Sequence, residues 1–227
     1  MAVVEEIAVN LEALRTRIEA ACNEAGRDAS TIRLVAVSKG HGTDRIRAAY
    51  ELGLRDFGEN YAQELGRKAE ALRDLEDVRW RFIGHLQRNK VKLVSGARAT
   101  VDTVDSVRLA EALARDAASR QTRTEVMVQV NVGREPQKSG CSPEGTSGLV
   151  EAIRAMPSLA LAGIMAVAPH DDDPEDARPY FDEVRELAEA HGLRERSMGM
   201  THDLEPAIAA GTTMLRIGTA LFGPRPR

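Results

Sequence analysis

Apolar residues at Val4, Ile7, Leu11, Leu14 and Ile18 recur at alternating spacings of three and four, the period that lays one stripe along a helix. Gly26 follows that stripe and is placed to end the helix. Beyond it the pattern becomes a regular alternation. Short β-rich runs fall at 32–38, 56–59, 80–83, 100–104, 125–130, 159–167, 196–200 and 214–221. Helix-like stretches lie between them, among them 44–52, 61–75, 107–120, 144–155, 174–190 and 204–210.

Eight strand candidates, each separated from the next by a crossover, predict parallel strands covered on both faces. An open doubly wound sheet meets that requirement, as does a closed barrel. The count of eight, the length of 227 residues and the lack of a dinucleotide fingerprint favour a single α/β fold of the (β/α)8 TIM-barrel type. Gly40-His41-Gly42 begins a Gly-x-Gly-x-x-Gly run that fails at Arg45. No Pro/Gly/Ser-rich linker divides the chain, which predicts one domain over residues 1–227.

Composition narrows the classes of function. Hydrophobic residues make up 43% and charged residues 29%, the balance of an ordinary globular protein. Aromatics are only 4% and the formal charge is −4, so neither a stacking platform nor a basic field for nucleic acid is expected. Cys22 and Cys141 form no Cys-x-x-Cys or Cys/His cluster, and two free thiols in a reducing compartment are expected. The first six residues are acidic where a signal peptide would be basic, and no long apolar run follows. The expectation is a cytoplasmic protein with no membrane span.

Reactive side chains of such barrels stand at the C-terminal ends of the strands. In the first run, Val35, Val37 and Lys39 share a face by the two-residue period of a strand, so Lys39 is aimed into the barrel mouth. Partial desolvation there lowers a lysine pKa and exposes a neutral, nucleophilic amine. A lysine that merely snorkels out at a strand end has the same sequence signature. The last two runs weigh against that plain reading. Ser197-Met198-Gly199-Met200-Thr201 precedes a helix, and Arg216-Ile217-Gly218-Thr219 ends the eighth run. Loops after strands seven and eight are the usual phosphate site of these barrels. Met214 and Arg216 share a face, and the apolar pair Leu215 and Ile217 suits the helix layer, so Arg216 points inward, where an arginine needs an acceptor. An internal carboxylate such as Glu59 is one such acceptor; the ring nitrogen of a bound heterocycle is another.

Other polar residues carry weaker signals. His170-Asp171-Asp172-Asp173 lies between Pro169 and Pro174 and reads as a solvated loop with helix-start carboxylates, not a metal site. His85 stands at a strand-three end, within reach of the pocket. His41, His191 and His202 read as surface residues, Arg88, Lys90 and Lys92 as decoration of a helix start, and Lys138 as a solvent-exposed loop lysine.

Val35-Ala36-Val37-Ser38-Lys39, Phe57-Gly58-Glu59-Asn60, the run from Trp80 to Lys90 (with Ile83-Gly84-His85-Leu86-Gln87) and the run from Gln129 to Gly140 resemble signatures of the pyridoxal phosphate homeostasis protein family. So do Gly163-Ile164-Met165-Ala166, Ser197-Met198-Gly199-Met200 and the run from Arg216 to Gly223. The resemblance extends from Ile32 to Gly223, and the family is similar to the N-terminal barrel of bacterial alanine racemase. It implies pyridoxal 5′-phosphate (PLP) held as a Schiff base on Lys39. It also implies Ser197, Gly199, Thr201, Gly218 and Thr219 around the phosphate, Arg216 facing the pyridine nitrogen, and Asn60 and Met165 lining the ring pocket. This chain departs from the family pattern at Thr201, where serine is commoner, at His202, and at Gly40-His41-Gly42.

Three functions are consistent with a lysine-bound cofactor or substrate. A carrier would hold PLP and release it to apo PLP-dependent enzymes. A racemase-like enzyme would deprotonate amino acids, and an aldolase would replace PLP with a sugar phosphate. The related racemase takes its second acid/base group from a C-terminal β domain, which is not expected here because the sequence ends just after strand eight. A guanidinium beside the ring nitrogen keeps PLP a weak electron sink, since arginine does not readily give up its proton. The aldolase reading lacks an acid/base partner for Lys39. The expectation is therefore a carrier or buffer with no catalytic residues and no metal. The sequence leaves the oligomeric state open between monomer and weak homodimer.

Overall fold

A computed structural model describes residues 2–225. Helix α1 (Ala2–Glu24) is followed by eight strands alternating with helices. In chain order these are β1 (Arg33–Val37), α2 (Thr43–Glu51), β2 (Asp56–Glu59), α3 (Ala62–Ala71), β3 (Arg79–Phe82), α4 (Val91–Gly96), β4 (Thr100–Val104) and α5 (Val107–Ser119). They continue with β5 (Thr124–Val130), α6 (Thr146–Arg154), β6 (Leu159–Ala166), α7 (Arg178–Ala190), β7 (Glu195–Ser197), α8 (Leu204–Ala209), β8 (Met214–Ile217) and α9 (Thr219–Phe222). The strands pair in sequence order, all parallel, and β1 closes on β8. This is the expected (β/α)8 barrel.

The two-residue alternation of the strands divides the interior in two. Ala36, Phe57, Phe82, Val101, Val128, Ile164, Leu215 and Ile217 face the helices and join the main hydrophobic core. Val35, Val37, Met127, Met165 and Met214 are equally buried but stand apart from that core, inside the barrel. A charged pair shares this inner space with Arg216. Arg81 donates to both carboxylate oxygens of Asp102 at 2.9 and 2.8 Å, and both side chains are almost fully buried. A bidentate pair of this kind offsets a desolvation cost that either charge alone would not survive.

Several boundaries differ from the periodicity. The eighth run continues apolar to residue 221, yet β8 stops at Ile217 and Thr219–Phe222 turns into helix. The seventh strand ends at Ser197, because Gly199 takes a φ of +90° that breaks the extended path. The run at 174–190 is a 3-10 turn (Pro174–Ala177) followed by α7, with Asp173 capping the turn by accepting from the Glu175 N–H. Helix α3 ends at Ala71, short of residue 75, and α4 had no apolar stripe long enough to announce it. Gly26 does follow the end of α1, at φ +64°.

Helix α1 belongs to none of the eight βα units and braces the last two. Arg17 Nη1 donates to the Thr201 carbonyl at 2.7 Å while its guanidinium pairs with Glu205, and Arg27 donates to the carbonyls of Ile208 and Thr212 at 2.7 Å each. Asn10 donates to the Leu221 carbonyl at 3.0 Å. These bonds, made across nearly the whole chain, hold the loops after β7 and β8 in place. Cys22 and Cys141 are unbonded thiols. No helix among the described residues is long and apolar enough to cross a membrane.

Candidate functional site at the C-terminal mouth of the barrel

Lys39 follows β1 by two residues. A Cβ at Gly58 would meet Val35 at 3.1 Å and Val37 at 3.5 Å, and both valines stand apart from the core that faces the helices, so the face that Lys39 continues is the inner one. Its side chain is half-buried. Burial pushes the amine below the ordinary lysine range, the Arg225 cation adds to that, and Glu59 opposes it.

Arg216 comes from the inner face of β8 and is 5% exposed. Nη1 donates to Ser197 Oγ and Nη2 to the Ala166 carbonyl, both at 2.8 Å. Its partner is no carboxylate. Burial lowers its pKa to about 10, with Asp102 and Asp203 acting the other way, and it remains a cation at neutral pH. Glu59, the acceptor weighed from the sequence, faces outward from β2 instead. It pairs with Lys68 Nζ at 2.6 Å and accepts from Ser38 Oγ at 2.6 Å. Burial raises the Glu59 carboxyl, opposed by Lys68 and Ser38.

Of the residues that the resemblance assigned to the phosphate, Gly199 and Thr201 occupy the turn between β7 and α8, Gly218 the turn after β8, and Thr219 opens α9. Gly199 is required where it stands: a Cβ would lie 2.5 Å from Ala207 Cβ and 2.8 Å from Leu215 Cδ2. Thr219 is exposed and Thr201 half-exposed, so their hydroxyls are open to a ligand at the rim. Ser197 is fully buried with its hydroxyl on Arg216, which makes it a brace for the guanidinium beneath the rim. Met165, also buried, is opposite Ser197 in register.

Asn60, at the end of β2, lines a cavity of about 280 Å³ with Gly84, His85, Gln129, Asn131 and Lys138. The Asn60 Oδ1 and Gln129 Oε1 atoms are buried without a hydrogen-bond partner, an arrangement that calls for a polar ligand or water. A neighbouring cavity of about 150 Å³ shares Lys138 and Val167 and is bordered by Met200, His202 and Asp203. Neither is lined by Lys39, Arg216 or Thr219, which stand around the rest of the same mouth. A larger cavity, about 700 Å³, lies at the other end of the barrel among Arg98, Arg120 and Arg123, and none of these strand-end groups lines it.

Two readings from the sequence need correction. His41 is buried, 5% exposed, with its ring 5.3 Å from that of Phe222 and Nδ1 unpartnered; the short α9 folds over it, which strand periodicity could not foresee. Lys138 is only one-third exposed, pairs with Glu135 and borders both mouth cavities, because its loop folds back over the barrel. Lys68, Glu64, Arg81, Asp102 and Gln129 were missed altogether. Lys68 left a trace, since it interrupts the apolar stripe of Ala62, Leu65 and Leu72 on α3. His202 is exposed as expected, and His85 borders the mouth.

The fold and the strand-end groups define a barrel of the alanine racemase N-terminal class, and the family model described as "Alanine racemase, N-terminal domain" matches residues 9–226. A Pseudomonas aeruginosa protein named pyridoxal phosphate homeostasis protein is 43% identical over 222 residues, covering 96% of each chain. PipY of Synechococcus elongatus, solved with PLP bound, superposes with a TM-score of 0.85 at 32% identity, over 96% of this chain and 100% of that one. An alanine racemase from Clostridium difficile shares the fold at 13% identity and a TM-score of 0.75, and this chain spans 57% of it. The chain belongs to the pyridoxal phosphate homeostasis protein family.

Proposed function

We propose that this chain binds PLP covalently through Lys39 and acts in the cytoplasm as a carrier or buffer of the cofactor, as one PLP-binding unit over its whole length. The observation that carries the reading is the pairing of a half-buried strand-end lysine with a fully buried Arg216 that has no carboxylate partner. A buried cation with no carboxylate in direct contact is costly, and a ring nitrogen accepting from it would offset part of that cost. The orphaned Asn60 Oδ1 and Gln129 Oε1 fit a polar aromatic ligand, and the exposed Thr219 and half-exposed Thr201 fit its phosphate. The names of the relatives and the PLP bound in PipY support the same reading.

Bound there, PLP supplies an aldehyde whose oxygen leaves as water when a lysine nitrogen takes its place. The protein's part is to favour the neutral form of the Lys39 amine through burial and to fix the ring. Arg216 donates a hydrogen bond without surrendering its proton, so the ring gains little electron-withdrawing power and turnover of amino acids is inefficient. With PLP held there, Lys39 would be the group that an incoming amine displaces, which is what release to apo PLP-dependent enzymes needs.

The test is an absorbance spectrum of purified protein loaded with PLP, borohydride reduction, and peptide mapping. Label on Lys39, lost in Lys39→Ala, is expected, together with reactivation of an apo PLP enzyme and negligible racemisation of alanine or serine. Label mainly on Lys138 or Lys90 would overturn the assignment of the site. Multiple turnovers abolished by Lys39→Ala would replace the carrier with an enzyme.

A further inference from the structure

Strand pairing ends at Val37; beyond it the Ser38 N–H donates to the Gly58 carbonyl and the Ser38 carbonyl accepts from the His41 N–H, both at 3.0 Å. Helix α3 adds a side-chain clamp to these backbone bonds. The Lys68 side chain, 7% exposed, enters under the loop after β1 and uses all three ammonium donors. Nζ donates to the Ser38 carbonyl at 2.7 Å, to Glu59 Oε1 at 2.6 Å and to Glu64 Oε1 at 2.7 Å. Glu59 Oε1 accepts from Ser38 Oγ at 2.6 Å, and Glu64 Oε1 accepts from the Gly40 N–H at 2.8 Å. The residues on either side of Lys39 are therefore both clasped, and Lys68 joins the two carboxylates that clasp them. Gly40 meets Glu64 at a φ of +76°, the left-handed region that bends the chain straight after Lys39.

A leucine at 68 would complete the apolar stripe of α3 without desolvating an ammonium and a carboxylate. Buried ion pairs of this kind add little to stability against an apolar replacement. What this one does is convert a loop position into a fixed one. It also distinguishes two lysines: every N–H of Lys68 is engaged, whereas the Lys39 amine has no hydrogen-bond partner among the described residues and is shifted first by burial, then by Arg225 and Glu59.

We propose that the Glu59–Lys68–Glu64 cluster is a positioning device for Lys39, clamping Ser38 and Gly40 so that the Lys39 amine is held toward the mouth while Lys68 is kept out of reaction. The proposal rests on Lys39 being the cofactor lysine. Lys68, Glu59 and Glu64 are positioning residues, acting on Lys39 through Ser38 and Gly40.

The experiment compares the parent with Glu64→Gln, Lys68→Met and the double variant Glu59→Gln/Lys68→Met, which removes the two most buried charges and leaves only Glu64, partly exposed and still accepting from the Gly40 N–H. Two readouts are taken beside a thermal melt. In the protein freed of cofactor, competitive acetylation with peptide mapping gives the pH profile of Lys39. In the presence of PLP, the growth of the lysine-bound absorbance band gives the attachment rate. Because displacing a reacting group by about 1 Å can cost about 100-fold, the clamp predicts attachment slowed by roughly 10-fold or more in the variants that keep their melting temperature, with a shifted Lys39 acetylation profile. Unchanged rates and profiles in those variants would overturn it, as would borohydride label on Lys68 in the parent. If the parent were labelled at another lysine, the PLP assignment would fall, while the acetylation profiles, which need no cofactor, would still decide whether the cluster positions Lys39.

Discussion

Gly199→Ala tests whether the turn after β7 is as tightly built as its contacts indicate. The residue stands at φ +90°, where a Cβ costs about 1–2 kcal/mol in backbone strain. That Cβ would lie 2.5 Å from Ala207 Cβ and 2.8 Å from Leu215 Cδ2. Ala207 has no flexible side chain to yield and sits on α8, so the helix itself has to move. Overpacking of this kind costs about 1–3 kcal/mol, giving a total of roughly 2–5 kcal/mol. At about 2–4 °C per kcal/mol for a protein of this size, the melting temperature should fall by roughly 4–20 °C. The displacement of α8 should also disturb the bond from Arg17 to the Thr201 carbonyl and the bond from the Arg216 N–H to the Gly199 carbonyl. PLP retention should therefore fall further than stability alone requires. The assay is differential scanning calorimetry beside equilibrium dialysis of PLP. Gly148→Ala is the control: nothing lies within 4 Å of its Cβ position in α6, and alanine there should raise stability by about 0.5–1 kcal/mol. A Gly199→Ala protein that melts with the parent would refute the reasoning about this turn.

Thr201→Ala and Thr219→Ala should each weaken PLP binding by about 1.5–3 kcal/mol and leave pyridoxal, which has no phosphate, nearly unaffected. Equal losses for both ligands in a titration would remove these hydroxyls from the phosphate site. Attachment of PLP requires the neutral amine, and burial with Arg225 lowers the Lys39 pKa. The attachment rate should therefore rise with pH and reach half its maximum below pH 10.5, the ordinary lysine value; a midpoint at or above it would contradict the desolvated setting. Burial, with Arg45, Lys68 and Arg225, also lowers the His41 pKa from 6.5. The unfolded chain then binds the proton first, so stability present above pH 6.5 is lost as pH falls toward the lower folded value. His41→Phe should lack this loss, and urea midpoints at about pH 7.5 and about pH 5 measure it; an identical parent-to-variant difference at both would show that His41 takes up its proton equally in the folded and unfolded chains.

The sequence by itself determined the barrel and the phase of its strands. Periods of two and 3.6 residues are local properties of backbone geometry, so Val35, Val37 and Lys39, or Met214 and Arg216, could be put on one face without knowing their neighbours. It also placed the chemistry at strand ends, because a parallel barrel leaves only those ends free to carry it. Tertiary structure alone decided what each charge meets. Glu59 and Arg216 look like natural partners on paper, but β2 turns Glu59 outward to Lys68 while β8 turns Arg216 inward to Ser197 and Ala166. His41 is buried because α9 closes over it, and the turn after β7 is braced by Arg17 from the far end of the chain. The hydrogen bonds and ion pairs that settle these matters join residues far apart in the chain. Their partners are fixed by the curvature and closure of the barrel, and no local period encodes that closure.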